Sequence, residues 1–185
     1  MNRLLVTYCR PCVCLLSLLV GSAAAQDAAR PDIVVADFEG DTYGKWKAKG
    51  EAFGVGPAQG TLPGQMHVSG FNGNGLVNSF LKGDRTTGTL TSPPIKVERN
   101  YLTFLMGGGG HRGETCMNLL ADDVIVHTIT GDNTRAGGSE ELTPAFWDVK
   151  ELAGRTITLQ IVDTATGGWG TSMSTILCRP TRNRN

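Results

Sequence analysis

The chain has 185 residues, 40% of them apolar, which is enough for one domain with a proper core and hardly for two. Seventeen basic side chains balance seventeen acidic ones, so the formal net charge is zero and the electrostatic footprint of a nucleic-acid or anionic-membrane binder is missing. Glycine, at 25 residues, stands well above the usual share of roughly 7% and clusters at Gly107–Gly110, Gly137-Gly138 and Gly167-Gly168, the pattern of tight turns between short strands.

The N-terminus has the form of an export signal. Arg3 supplies positive charge, Cys12 to Val20 form an apolar run, and Ser22-Ala23-Ala24-Ala25 ends in small residues. Residues 1–25 are therefore expected to be a signal peptide cleaved after Ala25, followed by a short linker over 26–31, and the product to be secreted or periplasmic. The apolar run is shorter than the roughly 20 residues a membrane span needs, so no membrane span is expected. Cys9, Cys12 and Cys14 leave with the signal, so only Cys116 and Cys178 remain and no disulfide framework is implied.

From Asp32 onward, short runs of β-branched and aromatic residues alternate with Gly, Asn, Asp and Pro, and helical periodicity is nearly absent. The runs predict strands at Ile33–Phe38, Met66–Val68, Gly75–Leu81, Gly88–Thr91, Tyr101–Met106, Thr115–Leu120, Val124–Thr130, Phe146–Asp148 and Thr156–Val162. The expected fold is all-β, a jelly-roll-like β-sandwich of two antiparallel sheets over 32–170. Both faces of Tyr101–Met106 are largely apolar, which predicts a central strand covered on both sides. Thr156–Ile161 alternates cleanly, so one of its faces should meet water. Ala121-Asp122-Asp123 reads as a hairpin connection, because Asp tolerates left-handed backbone geometry. Val149–Ala153, closed by Gly154, reads as a single helical turn.

Residues 171–185 depart from this pattern, since alternation stops and a polar, Arg-rich stretch follows Trp169-Gly170. A one-base shift across the codons of Thr171–Cys178 can be written to restore a plausible strand. The expectation is an aberrant tail made by a frameshift, with the last core strand missing; a genuine disordered tail is the alternative.

Several stretches, taken together, resemble a known family. They are Val35–Asp41 with Tyr43-Gly44 and Trp46, Gly60–Met66, Gly88–Pro93, Gly107–His111, Glu114–Leu120, and Ile161–Asp163 with Gly167–Gly170. The set, over Asp32–Gly170, resembles the β-sandwich module ahead of the catalytic domain in secreted levanases and related β-fructosidases of glycoside hydrolase family 32. The resemblance implies a non-catalytic accessory or carbohydrate-binding module, with a fructan (levan or inulin) or another polysaccharide and a catalytic propeller domain as partners. The propeller's Asn-Asp-Pro and Arg-Asp-Pro motifs occur nowhere in this chain, and Glu114-Thr115-Cys116 is not the family's Glu-Cys pair.

No catalytic constellation stands out. Glycosidases of the usual kind need two carboxyls at a set separation, whereas the adjacent pairs Asp122-Asp123 and Glu140-Glu141 read as solvated turn residues. No Gly-x-Ser-x-Gly elbow frames Ser69 beside His67 or His111. Cys116 sits inside an apolar strand and reads as a buried, inert thiol.

The candidate sugar-binding residues are His111, Arg112, Glu114 and Trp169. Four glycines let backbone amides approach a ligand, Arg and Glu can bond vicinal hydroxyls, and an aromatic can stack on a ring. The competing reading makes Gly107–Gly110 a bend or bulge, with Arg112 and Glu114 as a structural ion pair. Trp46 and Trp147 read as core residues, and Trp169, flanked by glycines, as exposed. Asp37 and Glu39, at alternate positions of the first predicted strand, are candidate oxygen ligands for a structural Ca²⁺; no other cofactor is implied.

Overall fold

The computed structural model describes residues 31–167 and the backbone strand Ser172–Leu177. The expected signal peptide, the linker except Pro31, Trp169 and residues after Leu177 lie outside the described residues. Twelve strands are described: β1 (Lys47–Gly50), β2 (Val68–Ser69), β3 (Val77–Asn78), β4 (Gly88–Thr91), β5 (Ile95–Lys96), β6 (Tyr101–Gly108), β7 (Thr115–Ala121), β8 (Val124–Ile129), β9 (Glu140–Glu141), β10 (Thr143–Asp148), β11 (Thr156–Asp163) and β12 (Ser172–Leu177). A single 3₁₀ turn, Lys150–Leu152, sits where one helical turn was expected.

These strands make an all-β sandwich of two antiparallel sheets. One runs β1-β4-β11-β7-β8 with β5 also on β11, the other runs β10-β6-β12-β3, and β2 and β9 form a small parallel pair beside them. The period-2 alternation of β11 puts Ile157, Leu159 and Ile161 inside. Ladder pairing sets Leu159 opposite Leu119, and Ile161 opposite both Met117 and Leu90, all fully buried. The facing row comes from Leu102, Phe104 and Met106 of β6, with Trp147 of β10 opposite Leu102. Phe104 and Trp147 touch at 4.7 Å between ring centroids. Trp46 is likewise a core residue.

The hairpin between β7 and β8 is the two-residue turn expected from Asp122 and Asp123, whose φ angles of 51° and 62° give the doubly left-handed geometry that matches strand twist. β6 is central in its sheet, as its composition implies, but its outer face is only half covered. Leu105 packs under a second small cluster of Val68, Leu76 and Leu142, while Tyr101 meets the exposed Phe146 edge-on.

Three expectations about strands are corrected. Residues 33–38 form no strand beyond an isolated bridge at Ile33. Asp37 Oδ1 accepts the Glu39 N–H, and Phe38 turns to φ 58°, which ends extended structure. That conformation is costly for a non-glycine residue, and it delivers the Phe38 ring into the core against Tyr43 and Trp46, at 6.1 and 5.3 Å. Secondly, β1 was missed because Lys47–Gly50 is exposed throughout and shows no apolar alternation; it is held by its ladder to β4. Thirdly, residues 172–177 form β12, paired with β6 on one side and β3 on the other, where an aberrant tail and a missing strand were expected.

Leu159 is fully buried between β4, β7 and the opposite sheet. Leu159→Ala is expected to lower unfolding free energy by about 2–5 kcal/mol, read from urea denaturation with an unchanged slope.

Candidate functional site

β8 is the edge of one sheet and β10 the edge of the other, and they face each other across the open side of the sandwich. Ladder register fixes which residues point into this gap. His127 and Ile129 lie opposite Leu119 and Met117, while Thr143, Ala145 and Trp147 lie opposite Met106, Phe104 and Leu102. At one end the gap is closed by His127 stacked on Trp147, 5.6 Å between centroids and 16° between planes. Beyond that stack it opens into a cleft of about 460 Å³.

Met106, Ile129 and Ala145 give this cleft an apolar patch. Thr128, Thr130 and Thr143 contribute hydroxyls, and Arg112 and Asp132 stand exposed at its border. Thr128 Oγ1 is buried without a hydrogen-bond partner. A mainly polar lining with hydroxyls, one cation and one anion beside a small apolar patch suits a hydroxyl-bearing ligand.

The glycine run 107–110 packs closely against neighbouring backbone. Gly110 N–H donates to Asn133 O, Gly131 N–H to Gly109 O and Asn133 N–H to Gly108 O, at 2.9–3.1 Å. A Cβ on Gly131 would lie 2.1 Å from Gly108 O, and one on Gly107 would lie 2.8 Å from Glu141 O. The loop 131–133 that walls the cleft can therefore lie this close to residues 108–110 only with glycine at 131.

Of the four sugar-binding candidates, the structure brings Arg112 to the cleft. His111 is half-buried, its Nε2 has no partner, and its carbonyl accepts the N–H groups of Glu114 and Thr115. Glu114 is exposed, and its carbonyl accepts the Thr164 N–H at 2.7 Å. Trp169 lies outside the described residues. The described ion pairs are Lys82–Glu51, Lys150–Asp148 and Arg155–Asp122, so the alternative Arg112–Glu114 pair is not among them. Sequence reasoning missed Asp132 and the threonines, since the register that gathers them depends on sheet edges distant in the chain.

Asp37 and Glu39 do not share a strand face, because no strand forms there. Both Glu39 oxygens accept the Asn74 N–H at 3.0 Å, and Oε1 also accepts from Gly75. This carboxylate fastens the loop that leads into β3. Among the described residues no three His, Cys, Asp or Glu side chains meet as a metal site. Cys116 is a free, fully buried thiol.

The carboxyls expected on turns divide. Asp122 is a turn residue paired with Arg155, whereas Glu140 lies on β9, 4% exposed, with Asn133 Nδ2 donating to it at 2.8 Å. Burial pushes the Glu140 carboxyl up. Burial likewise raises Asp163, at the inner end of β11, from 3.8 to about 7, against the lowering effect of hydrogen bonds from Ser79 and Ala165 N–H.

No family model matches the chain. A stretch of 141 residues, 75% of this chain, is 40% identical to a protein of Aspergillus rugulosus named "Putative glycosyl hydrolase ecdE". The chain spans 19% of that protein's length. Two solved domains share the fold at a TM-score of 0.50 each, the K1 and K3 cleaved adhesin domains of Lys-gingipain from Porphyromonas gingivalis W83. They are 18% and 15% identical, and the matches cover 83% and 82% of this chain and 100% of each domain. The likeness supports the β-sandwich fold and nothing about function. Among the described residues no helix is long and apolar enough to cross a membrane.

Gly131→Ala should cost about 1–3 kcal/mol, measured by thermal or urea unfolding, because a backbone oxygen stands where its Cβ must go. Asp163 generates a pH dependence. It stays protonated in the folded state up to about pH 7 but ionises near 3.8 when unfolded, so its contribution is full at lower pH and lost as pH rises through about 7. Urea midpoints in buffer free of divalent ions should fall from pH 4 to 8, and Asp163→Asn should flatten that fall.

Proposed function

We propose that this chain is a non-catalytic, sugar-binding accessory domain of an exported glycoside hydrolase, with a fructan such as levan or inulin as ligand. The observation that carries the reading is the cleft between β8 and β10, where Arg112, Asp132 and three threonine hydroxyls surround a small apolar patch of Met106, Ile129 and Ala145. The 40% identity to a protein named as a glycosyl hydrolase supports the connection to sugars. The levanase-like motifs of the sequence support the fructan assignment and a catalytic propeller as the partner domain. In this reading Arg112 bonds vicinal hydroxyls, with His111, Glu114 and Trp169 nearby in sequence supplying further contacts. The domain would hold a polymer near a catalytic centre carried elsewhere. Asp132 is the single carboxylate of the cleft lining, whereas glycosidases of the usual kind use two, which favours binding over hydrolysis.

A second reading is favoured by one observation. Val124, Ile125 and Val126 on the edge strand β8 are 63%, 53% and 41% exposed, and Phe146 on the facing edge is 60% exposed. Apolar side chains on a sheet edge suit a structural interaction domain that packs on a neighbouring domain and needs no sugar affinity.

Affinity electrophoresis and calorimetry with levan, inulin and an unrelated glucan separate the readings. Retardation by a fructan, weakened about tenfold or more by Arg112→Ala at unchanged thermal midpoint, is the expected result. A folded protein that ignores every polysaccharide would leave the docking reading standing. Release of reducing sugar by the purified chain would overturn both.

A further inference from the structure

The loop 131–133 is held in two directions. Its backbone bonds to residues 108–110, and the Asn133 side chain reaches Glu140, with Nδ2 donating to Oε1 at 2.8 Å. Glu140 lies on β9, paired with β2 through Val68, so this side-chain bond ties the cleft wall of Gly131 and Asp132 to the small parallel pair. Both side chains are inside, Asn133 at 2% and Glu140 at 4% exposed. A side chain on Gly138 would collide with Asn133 Oδ1, so backbone encloses the amide.

The same two residues each leave one atom over. Asn133 Oδ1 and Glu140 Oε2 are buried without a hydrogen-bond partner. With Glu140 ionised both atoms are acceptors, and neither can satisfy the other. A carboxylic acid, however, complements an amide: the amide N–H donates to one acid oxygen and the acid O–H donates back to the amide oxygen. A proton on Oε2 therefore satisfies both orphaned atoms at once. An ionised carboxylate would instead be a buried charge, and none of the described ion pairs supplies it with a cation.

We propose that Glu140 and Asn133 form a cyclic acid–amide pair, Nδ2–H to Oε1 and Oε2–H to Oδ1, in which the Glu140 proton locks the loop that walls the cleft. Around the pair, Val68–Ser69 of β2 and the Met106–Gly108 end of β6 carry no titratable side chain, and His67, Asp132, Arg135 and Glu141 on the adjoining segments are exposed. Burial disfavours the ionised form of Glu140, and the charge of half-buried Asp84 adds to this, against the opposing effect of the Asn133 bond. A carboxyl that holds its proton more tightly folded than unfolded stabilises fully at low pH and loses that contribution as pH rises through its folded value. Above that pH the return bond to Oδ1 is gone and two acceptors face each other, so the loop is held by one side-chain bond where it had two. The lock concerns the cleft wall whatever enters the cleft and does not depend on the sugar-binding reading.

The test is an NMR titration of the purified chain that follows the side-chain carboxyl carbon of Glu140 together with hydrogen exchange at the Gly131 and Asn133 N–H groups, corrected for the intrinsic pH dependence of exchange. Glu140 should keep its proton after the exposed Glu141 has ionised near the ordinary value of about 4.3. As Glu140 then titrates, protection of the two amides should fall about tenfold. Glu140→Gln, whose amide reproduces the donor and the acceptor of the acid, should hold the protection level across the range. Asp163→Asn should leave the fall in place, which separates Glu140 from the other buried carboxyl. A Glu140 that titrates together with Glu141 would overturn the proposal, as would protection that stays level while Glu140 ionises or that still falls in Glu140→Gln. Should Glu140→Gln fail to fold, the wild-type titration decides alone.

Discussion

The structure depends on one backbone contact, the seating of residues 131–133 on the glycine track 107–110. Three main-chain hydrogen bonds join the two segments. A side chain at Gly131 would strike a carbonyl oxygen at 2.1 Å, so the approach requires the absence of Cβ. Both regions of chemical interest follow from it. On one side Gly131 and Asp132 become a wall of the cleft between the sheet edges, and on the other Asn133 is fixed where its amide can hold Glu140.

Legibility in the sequence followed the physics that each segment relies on. Strand β11 was readable because its core face and water face alternate with period 2, and the β7–β8 turn because two aspartates tolerate the left-handed geometry it requires. β1 was not readable, since all four of its residues are exposed and only the ladder to β4 makes them a strand. Ile33–Phe38 misled for the opposite reason: Phe38 is a core residue delivered by a kink and Val35 and Ala36 pack partly against the core, while Val34 is exposed, and composition alone cannot tell burial in a loop from burial in a strand. At the candidate site, Arg112 could be singled out from its place after the glycines. Its companions could not, because Asp132, Thr143 and Ala145 become neighbours only through the register of two different sheets.

The neutral chain, the mixed cleft and the acidic core end divide the labour of charge. Arg112 and Asp132 stand exposed at the cleft border, with opposite signs, so their fields cancel at a distance and act only on what enters. The carboxyls of Asp163 and Glu140 are inside, where burial pushes both toward the neutral form. The cleft wall and the partner of Glu140 belong to the same loop, so a change in the packing of 131–133 would be felt by both.

The place of β12 has a consequence for how the domain comes into being. β3 and β6 are not neighbours; they are joined through Ser172–Leu177, the last of the described strands to be synthesised. During translation the sheet containing β6 would therefore stand with a gap in its middle until those residues leave the ribosome. Core faces built from Phe104 and Met106 would be incompletely backed for nearly the whole of synthesis. Order of appearance and order of assembly are thus opposed in this fold, and the nascent chain would depend on its other sheet, complete by Asp163, to hold a native-like nucleus in the meantime.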